Sequence, residues 1–538
     1  MESSLIEAIN AFITLLRTGF IPIYTEMTFS SQIDYLKILA AAFAGSGSAG
    51  IVVIYFRDKI RQIPLLFCRD HVIICGLHEM TEALVRQLKT RNVRTIVIGA
   101  ETSLPVAENI RRYCTVMLAG DPKDPTLLSL ARANKARAVL ALTDSDGLNA
   151  EIALSALKVL GYRGGKPLTC IIQITNPGLW RIIREQALLP VQVQPVKIDF
   201  YNAPALGARI LLGTHYTPNI VKWSGKPFLL VVVGMGRLGE SIITRASREW
   251  FEKSRSSTVL QVIMVDLHAA EIKERLIATY PLIQAAVNIT AISIDVQSAE
   301  FQKAAFLKAR ESFSSALAFV CLNDDTAGLT AALTLSHHLH GLDAQILVRM
   351  DNNPGLARLV EQKAKGTIRI LPFSSLSIAS ECDLVIGGIR EILARAIHDH
   401  YLVTMSSPEP ARVDPALVPW DDLPRRLKES NRHQAENIME KLHAIGCDII
   451  PMTDWSARNF SFSAHEIEYL AEMEHNRWMD DMRGQGFSLG SSKDEVKKTH
   501  PSMVPFQELS EKEKEKDREA VTMIPHYLAL IDFQIYRQ

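Results

Sequence analysis

The chain has 538 residues, enough for about three or four domains, and its 59 basic and 59 acidic side chains give a formal net charge of zero. This balance provides no overall field that attracts nucleic acid, so partners must be recognised by local features. The seven cysteines are scattered singly with no CxxC pair, which argues against a disulfide framework or a zinc site and indicates buried, reduced thiols.

The N-terminal segment, residues 1–66, is predicted to associate with a membrane. Residues 38–56, ILAAAFAGSGSAGIVVIYF, hold 19 residues without a charge, a length that can cross a bilayer. Arg57, Lys59 and Arg61 follow directly, and the positive-inside rule then places the chain after residue 57 in the cytoplasm, beneath the cell inner membrane. A buried soluble helix or hairpin is the alternative. The apolar stretch before the span is interpreted as a second, imperfect span or an interfacial helix.

Between residues 67 and 215, short apolar runs alternate with amphipathic stretches of helical length. The runs HVIICG, RTIVIG and ARAVLALT predict strands, and EALVRQLKT and PTLLSLARA predict helices, as in a doubly wound parallel sheet. The turn after the first strand reads CGLHEMT, so His78 and Thr81 stand where a dinucleotide-binding turn has glycines, and Gly99 stands where it has an acid. Because these side chains crowd the space of a pyrophosphate, this site is predicted to be degenerate and to serve as a structural partner.

The same order of elements returns between residues 225 and 404, this time with an intact glycine turn. FLLVVVGMG, LQVIMVD, SALAFVCLND and AQILVRMD repeat the strand pattern, which indicates a duplication. Gly234, Gly236 and Gly239 follow the first run, and Asp266 ends the second. The first glycine permits a tight turn, the second lets the backbone approach a pyrophosphate, and the third lets helix pack on strand. A glycine turn used only for packing is the alternative.

These features resemble the regulator-of-potassium-conductance (RCK) module, also called the TrkA-N domain, present here twice. The resemblance rests on the glycine turn, the acid-ended second strand, the GDPKDPTLL stretch from Gly120, and the TDSD and NDD turns after strands. It implies two Rossmann-like sheets that bind NAD(H) or an adenine nucleotide such as ATP or ADP and regulate an ion channel or transporter without hydride transfer, so no enzymatic activity is expected. The expected nucleotide-binding residues are Gly234, Met235, Gly236, Arg237, Leu238, Gly239, Asp266, Asp295, Asn323 and Asp324.

Several polar residues after strands have two interpretations. Asp144, Asp146, Asp324 and Asp325 either line a nucleotide pocket at the carboxyl edge of each sheet or cap the helices that follow. The histidines of SHHLH and IHDHY are interpreted as helix-end residues and not as metal ligands.

After residue 404 the alternation of strands and helices ends. LKESNRHQAENIMEKLHAIGC predicts one helix, and Ser463 is predicted to cap a second, with Glu466 completing a capping box and Gly484 and Gly486 ending the helix. A mostly α-helical domain is therefore expected over residues 405–538.

The stretches LAEMEHNRWMDDMRGQGFSLG, KTHPSMVPFQEL and KEKDREAVTMIP resemble the repeat domain of ryanodine receptors, the RyR domain. In prokaryotic proteins such domains look like sensors of small ligands or nucleotides, since an indole can stack on a base while Arg and Lys bind phosphate. The alternative is that Trp478 belongs to the core and that the polar residues form structural ion pairs. The residues that the resemblance implies for ligand binding are Asn431, Arg432, Glu474, His475, Trp478, Lys497, His500 and Pro501.

Three classes of function compete. The leading hypothesis is a membrane-anchored, nucleotide-sensing regulator of potassium-type ion flux, a homo-oligomer and by expectation a tetramer, acting on its own span or on a separate channel or transporter subunit. No TVGYG-like filter precedes the span, so a conventional potassium pore is not expected. The second hypothesis is an antiviral-type membrane effector triggered by a signal nucleotide at the RyR domain. The third is a soluble NAD-dependent oxidoreductase, for which no acid–base set is recognisable.

Overall fold

The computed structural model describes residues 63–100, 105–159, 168–187, 196–220, 227–253, 259–351, 353, 355–358, 368–405, 415–494 and 496–537. The predicted membrane span at 38–56 lies outside these residues. Within the described ranges, no helix has both the length and the apolar character needed to cross a membrane. The chain divides into two compact units, Met1–Cys68, in which a 3₁₀ helix covers Ile63–Phe67, and Arg69–Gln538.

The first lobe contains six short, mostly aliphatic strands: β1 (Val72–Cys75), β2 (Thr95–Gly99), β3 (Val116–Ala119), β4 (Ala138–Ala141), β5 (Leu168–Gln173) and β6 (Val196–Tyr201). Its helices are α1 (Glu79–Thr90), α2 (Pro105–Tyr113), α3 (Pro125–Leu130), α4 (Asp146–Val159), α5 (Pro177–Ala187) and α6 (Ala203–His215). The strands pair in parallel in the order β3-β2-β1-β4-β5-β6. The strand order reverses between β1 and β4, and ligands of such sheets bind at the carboxyl ends of the strands there.

The second lobe repeats this architecture. Its strands are β7 (Phe228–Val233), β8 (Leu260–Asp266), β9 (Val287–Ser293), β10 (Ser315–Val320), β11 (Asp343–Arg349) and β12 (Ile368–Phe373). Its helices are α7 (Arg237–Lys253), α8 (Ala269–Thr279), α9 (Ile283–Ala286), α10 (Ala299–Lys303), α11 (Asp325–His338), α12 (Ser375–Ala379) and α13 (Cys382–Met405). The order β9-β8-β7-β10-β11-β12 matches that of the first lobe, which confirms two Rossmann-like doubly wound sheets.

The two lobes pack on each other through α6 and α7. The Tyr216 hydroxyl, just after α6, donates a hydrogen bond to the Ala246 carbonyl of α7 at 3.0 Å. One buried apolar cluster continues from α6 through β7 and α7 to Met452 and Trp455 of the C-terminal domain. Burial of apolar surface therefore joins all three parts of this unit.

The C-terminal domain is mostly helical, as predicted. It contains α14 (Arg425–Ala444), α15 (Ala464–Gly484), α16 (Glu511–Thr522) and α17 (Ile524–Leu530), an antiparallel pair formed by β13 (Cys447–Pro451) and β16 (Phe533–Arg537), and a short parallel pair formed by β14 (Ser488–Leu489) and β15 (Thr499–His500). Ser463 Oγ accepts from the Glu466 amide, and the Glu466 carboxylate accepts from the Ser463 amide at 2.8 Å. The predicted capping box and the predicted end of α15 at Gly484 are both confirmed.

Ion pairs attach this domain to both lobes. Arg184 of the first lobe donates two hydrogen bonds, at 2.8 and 3.1 Å, to Asp448, whose side chain is fully buried. Arg245 and Arg248 of the second lobe contact the Asp532 carboxylate at 2.5 and 2.7 Å. Separating the C-terminal domain from the lobes would be costly, because each partner of these buried pairs would be left as an uncompensated charge. The C-terminal domain is thus held against both sheets.

Candidate functional site

The three glycines of the second-lobe turn meet three different steric demands. Gly234 has φ of +88°, in the region that favours glycine, and a Cβ there would lie 2.9 Å from the Leu322 side chain. A Cβ on Gly239 would lie 2.2 Å from the Gly234 carbonyl oxygen, so α7 approaches the turn too closely for any side chain. A Cβ on Gly236 would meet nothing within 4 Å. The middle glycine therefore faces open space at the N-terminus of α7, where amide groups and the helix dipole favour an anion.

Asp266 lies at the end of β8, beside this turn. Its Oδ2 accepts a hydrogen bond from the Met235 amide at 2.8 Å, and its Oδ1 accepts from the His268 amide at 3.0 Å. Each carboxylate oxygen has a further lone pair, so the group both braces the turn and can accept from ribose hydroxyls. The Met235 side chain is buried, and Leu238 packs against the same apolar cluster.

The other predicted residues of this lobe lie at the same sheet edge but have structural partners. Asp324 caps α11 by accepting from the Ala327 amide at 2.7 Å, and Asp295 accepts from the Gln297 amide at 2.8 Å. Asn323 Oδ1 accepts from Arg349 at 2.5 Å. These contacts favour the capping interpretation for Asp324, and Gly236 is the glycine of the turn that faces open space, with Asp266 beside the turn.

Asp146 and Asp325 occupy equivalent positions in the two lobes. Asp146 accepts from the amides of Thr175 and Asn176, each at 2.9 Å, and Asp325 accepts from those of Asp351 and Asn353 at 3.1 and 2.7 Å. Each carboxylate ties the loop after one strand to the helix after the previous strand. Their repeated role is a structural signature of the duplication.

The first-lobe turn is closed by its own side chains. A Cβ on Gly99, which occupies the position of Asp266, would lie 2.2 Å from Leu77 Cγ, because Leu77 fills that space. His78, at the position of Gly236, accepts from the Thr81 amide through Nδ1 at 3.4 Å and donates through Nε2 to the Leu142 carbonyl. The imidazole thus caps α1 where an anion would bind. This geometry supports the prediction that the first site is degenerate.

Arg237 connects the open turn to the first lobe. Its Nη2 donates to the Asp144 carbonyl at 2.8 Å, and its Nη1 lies 3.7 Å from Asp146 Oδ1, a buried atom that has no hydrogen-bond partner within the described part of the chain. The Arg237 side chain is 46% exposed, so it can exchange this contact for another anion. The residue that follows the middle glycine therefore touches both halves of the duplication.

In the C-terminal domain, the structure brings Trp478 and His500 together. Their rings meet edge to face at 4.9 Å, and they line a cavity of about 190 Å³. His475 stacks against the other side of Trp478 at 5.5 Å. Its Nε2 contacts the Val504 carbonyl at 2.8 Å and its Nδ1 lies 3.3 Å from Asp517. Burial opposes protonation of His475, but Asp517 and the Val504 carbonyl outweigh it and raise its pKa.

The remaining predicted residues of this domain lie away from the Trp478–His500 cavity. Glu474 is buried in a cluster with Lys441 and Arg477, and Arg432 pairs with Glu391 of α13 at 2.5 and 2.9 Å. Asn431 donates to the Leu427 carbonyl within its own helix, and Pro501 is exposed. Lys497 is exposed and lies 3.9 Å from Asp494. The ion-pair interpretation therefore describes Arg432 and Glu474 best.

Besides Trp478 and His500, the cavity is lined by seven residues that were not predicted as site residues: Arg426, Leu427, Ser430, Met482, Gln485, Phe487 and Lys493. Arg426 and Ser430 are one turn apart on α14, so helical spacing from the predicted Asn431 was a usable signal. Phe487 and Lys493 come from the loop after Gly486, and their position depends on tertiary folding. Cationic and aromatic side chains thus converge here from three segments.

Two protein families match this chain. The TrkA-N domain matches residues 72–185, which cover the lobe with the closed turn, and the RyR domain matches residues 461–537.

Among curated proteins, "Potassium channel protein 1" of Methanocaldococcus jannaschii is 24% identical over 163 residues, which are 28% of this chain and 48% of that protein. The match therefore spans about half the length of the relative. Among solved structures, the match to GsuK bound to ADP covers 71% of this chain and 89% of the GsuK chain, with 16% sequence identity and a TM-score of 0.39. The GsuK channel bound to NAD covers 71% and 77%, with 15% identity and a TM-score of 0.41.

Proposed function

We propose that this chain, which contains a TrkA-N domain over residues 72–185 and an RyR domain over residues 461–537, is a nucleotide-binding regulator of potassium-type ion flux. The observation that carries the proposal is the open turn at Gly236, next to the Asp266 carboxylate, in a lobe whose duplicate is closed. The pyrophosphate of NAD(H), or the phosphates of ADP or ATP, bind at the N-terminus of α7. The nucleotide acts as a ligand and undergoes no chemical turnover.

Arg237 gives the nucleotide a route to the first lobe. A phosphate at the N-terminus of α7 lies next to the Arg237 backbone and competes with Asp144 and Asp146 for its guanidinium. Occupancy of the turn then changes the contact between lobes. A ligand shifts a conformational equilibrium only by its difference in affinity for the two states, and about 1 to 3 kcal/mol is typical of such coupling.

The RyR domain supplies a second sensing element. The cavity beside Trp478 combines aromatic rings with Arg426 and Lys493, a combination that suits a ligand with a flat ring and an anionic group. The pairs Arg184–Asp448 and Arg432–Glu391 connect this domain to the first lobe and to α13. Binding at this cavity can therefore bias the same arrangement of lobes.

The site of action is the cell inner membrane. Residues 38–56 form the anchor, the chain after residue 57 is cytoplasmic, and four copies assemble beneath a pore formed by their own spans or by a separate channel or transporter subunit. Support comes from the uncharged stretch and the basic residues that follow it. Fractionation of cells that express the full chain or a deletion of residues 1–66 tests the anchor, since a full chain found only in the soluble fraction contradicts it.

The function is tested in two stages. Calorimetry of the purified full chain with NADH, NAD, ADP and ATP identifies the nucleotide, with Gly236→Val as the blocked variant and His78→Ala as the matched control in the first lobe. Potassium flux is then measured in vesicles, with and without that nucleotide, for the same three proteins. A nucleotide response in wild type and His78→Ala that disappears in Gly236→Val supports the proposal. Equal potassium flux in all conditions overturns it. If the nucleotide is chemically converted during the assay, the proposal that it acts only as a ligand is wrong.

A further inference from the structure

A cavity of about 400 Å³ lies where the two lobes and the C-terminal domain meet. The first lobe and α6 contribute Trp180, Phe200 and Arg209, the second lobe contributes α7 and α8, and the C-terminal domain contributes Trp455 and Asp532. The lining includes Arg237, the residue after Gly236, but not Gly234, Gly236 or Asp266, so this space adjoins the glycine turn without containing its glycines or its acid. Its volume is in the range of pockets that hold small molecules.

Arginines dominate the polar part of this lining. Five of them, Arg209, Arg237, Arg245, Arg248 and Arg275, face only two carboxylates within the lining, those of Glu240 and Asp532. Arg245 and Arg248 also have Glu249 and Glu252 on their own helix at 2.8 and 3.7 Å, and Arg275 pairs with Glu240. Four arginines therefore have an acidic neighbour, since Arg237 lies beside Asp146.

Arg209 has no ion pair among the described residues, although the charges of Asp532 and Asp399 act on it. Its Nη1 is buried and has no hydrogen-bond partner among the described residues. Burial lowers its pKa to about 10, the like charge of Arg245 acts in the same direction, Asp532 and Asp399 oppose it, and the guanidinium remains protonated at neutral pH. The Arg209 side chain as a whole is partly buried, and leaving its buried Nη1 without a hydrogen bond is costly. A bound oxyanion would offset that cost with two parallel hydrogen bonds.

We propose that this cavity, which we call the three-domain cavity, binds a small organic oxyanion at Arg209, with an apolar body against the aromatic wall of Trp180, Phe200 and Phe533. Phosphate and carboxylate groups share the chemistry that Arg209 recognises. Because the walls come from three parts of the chain, such a ligand binds best to the arrangement that closes them together. The site is a second ligand site, centred on Arg209, that shares Arg237 with the nucleotide turn.

Calorimetry with inorganic pyrophosphate and with citrate, on the purified full chain, tests this site. The key variant is Arg209→Met, which keeps a long apolar side chain in place and removes the charge. Arg86→Met, at a half-exposed arginine of α1, controls for the loss of one positive charge. Gly236→Val blocks the glycine turn with a side chain that the surrounding structure has room for. This variant therefore distinguishes binding at the turn from binding in the cavity.

We expect at least one probe to bind to wild type, Arg86→Met and Gly236→Val with equal affinity, and at least tenfold more weakly to Arg209→Met. Citrate binding without pyrophosphate binding assigns a carboxylate ligand, and the reverse assigns a phosphate ligand. A cooperative melting transition of unliganded Arg209→Met, close to that of wild type, shows that the variant folds. Equal binding by Arg209→Met, no binding of either probe at millimolar concentration, or loss of binding only in Gly236→Val overturns the proposal.

Discussion

The two lobes share one fold and differ in what fills the turn after the first strand. In the second lobe Gly236 leaves the helix terminus open, whereas in the first lobe the His78 ring caps the helix and Leu77 covers Gly99. The same backbone path thus leaves open space at the turn in one copy and a packed contact in the other. The difference shows that a duplicated sheet can keep its architecture while only one copy keeps the space for an anion.

The largest effect is expected from closing the open turn. Gly236→Val places a branched side chain where a pyrophosphate must approach the backbone, and affinity for NADH or ADP should fall by about 100-fold, or about 2.8 kcal/mol. His78→Ala at the equivalent position of the first lobe should leave affinity unchanged. Calorimetry on the three proteins measures both. If His78→Ala weakened binding as much as Gly236→Val, the assignment of the site to the second lobe would be wrong.

A second contrast separates the glycine needed for packing from the one needed for binding. The Cβ of Gly239→Ala would lie 2.2 Å from the Gly234 carbonyl oxygen, a backbone atom that cannot easily move, so we expect a loss of about 2 kcal/mol in unfolding free energy. Gly236→Ala, with open space around it, should stay within about 0.5 kcal/mol of wild type. Denaturant titrations compare the two variants. Equal stability of both would show that α7 packs less closely than the structure indicates.

The acid position gives a smaller effect. Asp266→Ala removes both the ribose acceptor and the brace on the Met235 amide, so nucleotide affinity should fall about tenfold, in line with a hydrogen bond to a charged group. The reciprocal change in the first lobe, Gly99→Asp, should create no binding, because Leu77 occupies the space. Nucleotide binding is measured for both variants with Gly236 unchanged. Unaltered affinity in Asp266→Ala would leave that carboxylate with a bracing role alone.

The smallest effect concerns pH. Burial raises the pKa of Glu240 on α7, and Arg275 offsets this only in part. A raised folded-state pKa in an acid means that the charged form costs stability at neutral pH, and that this cost disappears as pH falls through the folded pKa. Glu240→Gln should therefore raise the free energy of unfolding at pH 7 by less than about 1 kcal/mol, which appears as a slightly higher melting temperature. At pH 4.5 the variant and wild type should melt at the same temperature.

The equivalent residue of the first lobe, Glu82, pairs with the exposed Arg86 and accepts from Asn109 at 3.2 Å. Glu82→Gln is the matched control and should show no such gain at pH 7. Arg275 is 58% exposed and water can solvate it when Glu240 is neutralised. A lower melting temperature of Glu240→Gln at pH 7 would show that the Glu240–Arg275 pair outweighs the cost of burial.

Much of the fold follows from local patterns. Apolar runs of four to seven residues predict the buried strands, and the repeated order of runs predicts two sheets of one topology. Ser463 and Glu466 predict the start of α15 because a capping box depends on residues three positions apart. Of the residues that line the cavity beside Trp478, the sequence indicated only Trp478 and His500, which belong to recognisable motifs, whereas Phe487 and Lys493 reach it through a loop.

By itself, the sequence determined the two lobes, the equivalence of Gly99 and Asp266, and the difference between a glycine and a histidine at the middle of the turn, because turn chemistry and strand periodicity act over a few neighbouring residues. Only the tertiary structure decided that Leu77 fills the first site, that Arg432 and Glu474 form ion pairs, and that Arg237 reaches the first lobe. It also assembled the three-domain cavity, in which Arg209 and Asp532 come from distant parts of the chain. Burial and pairing of charges depend on which surfaces meet, and no local pattern records that.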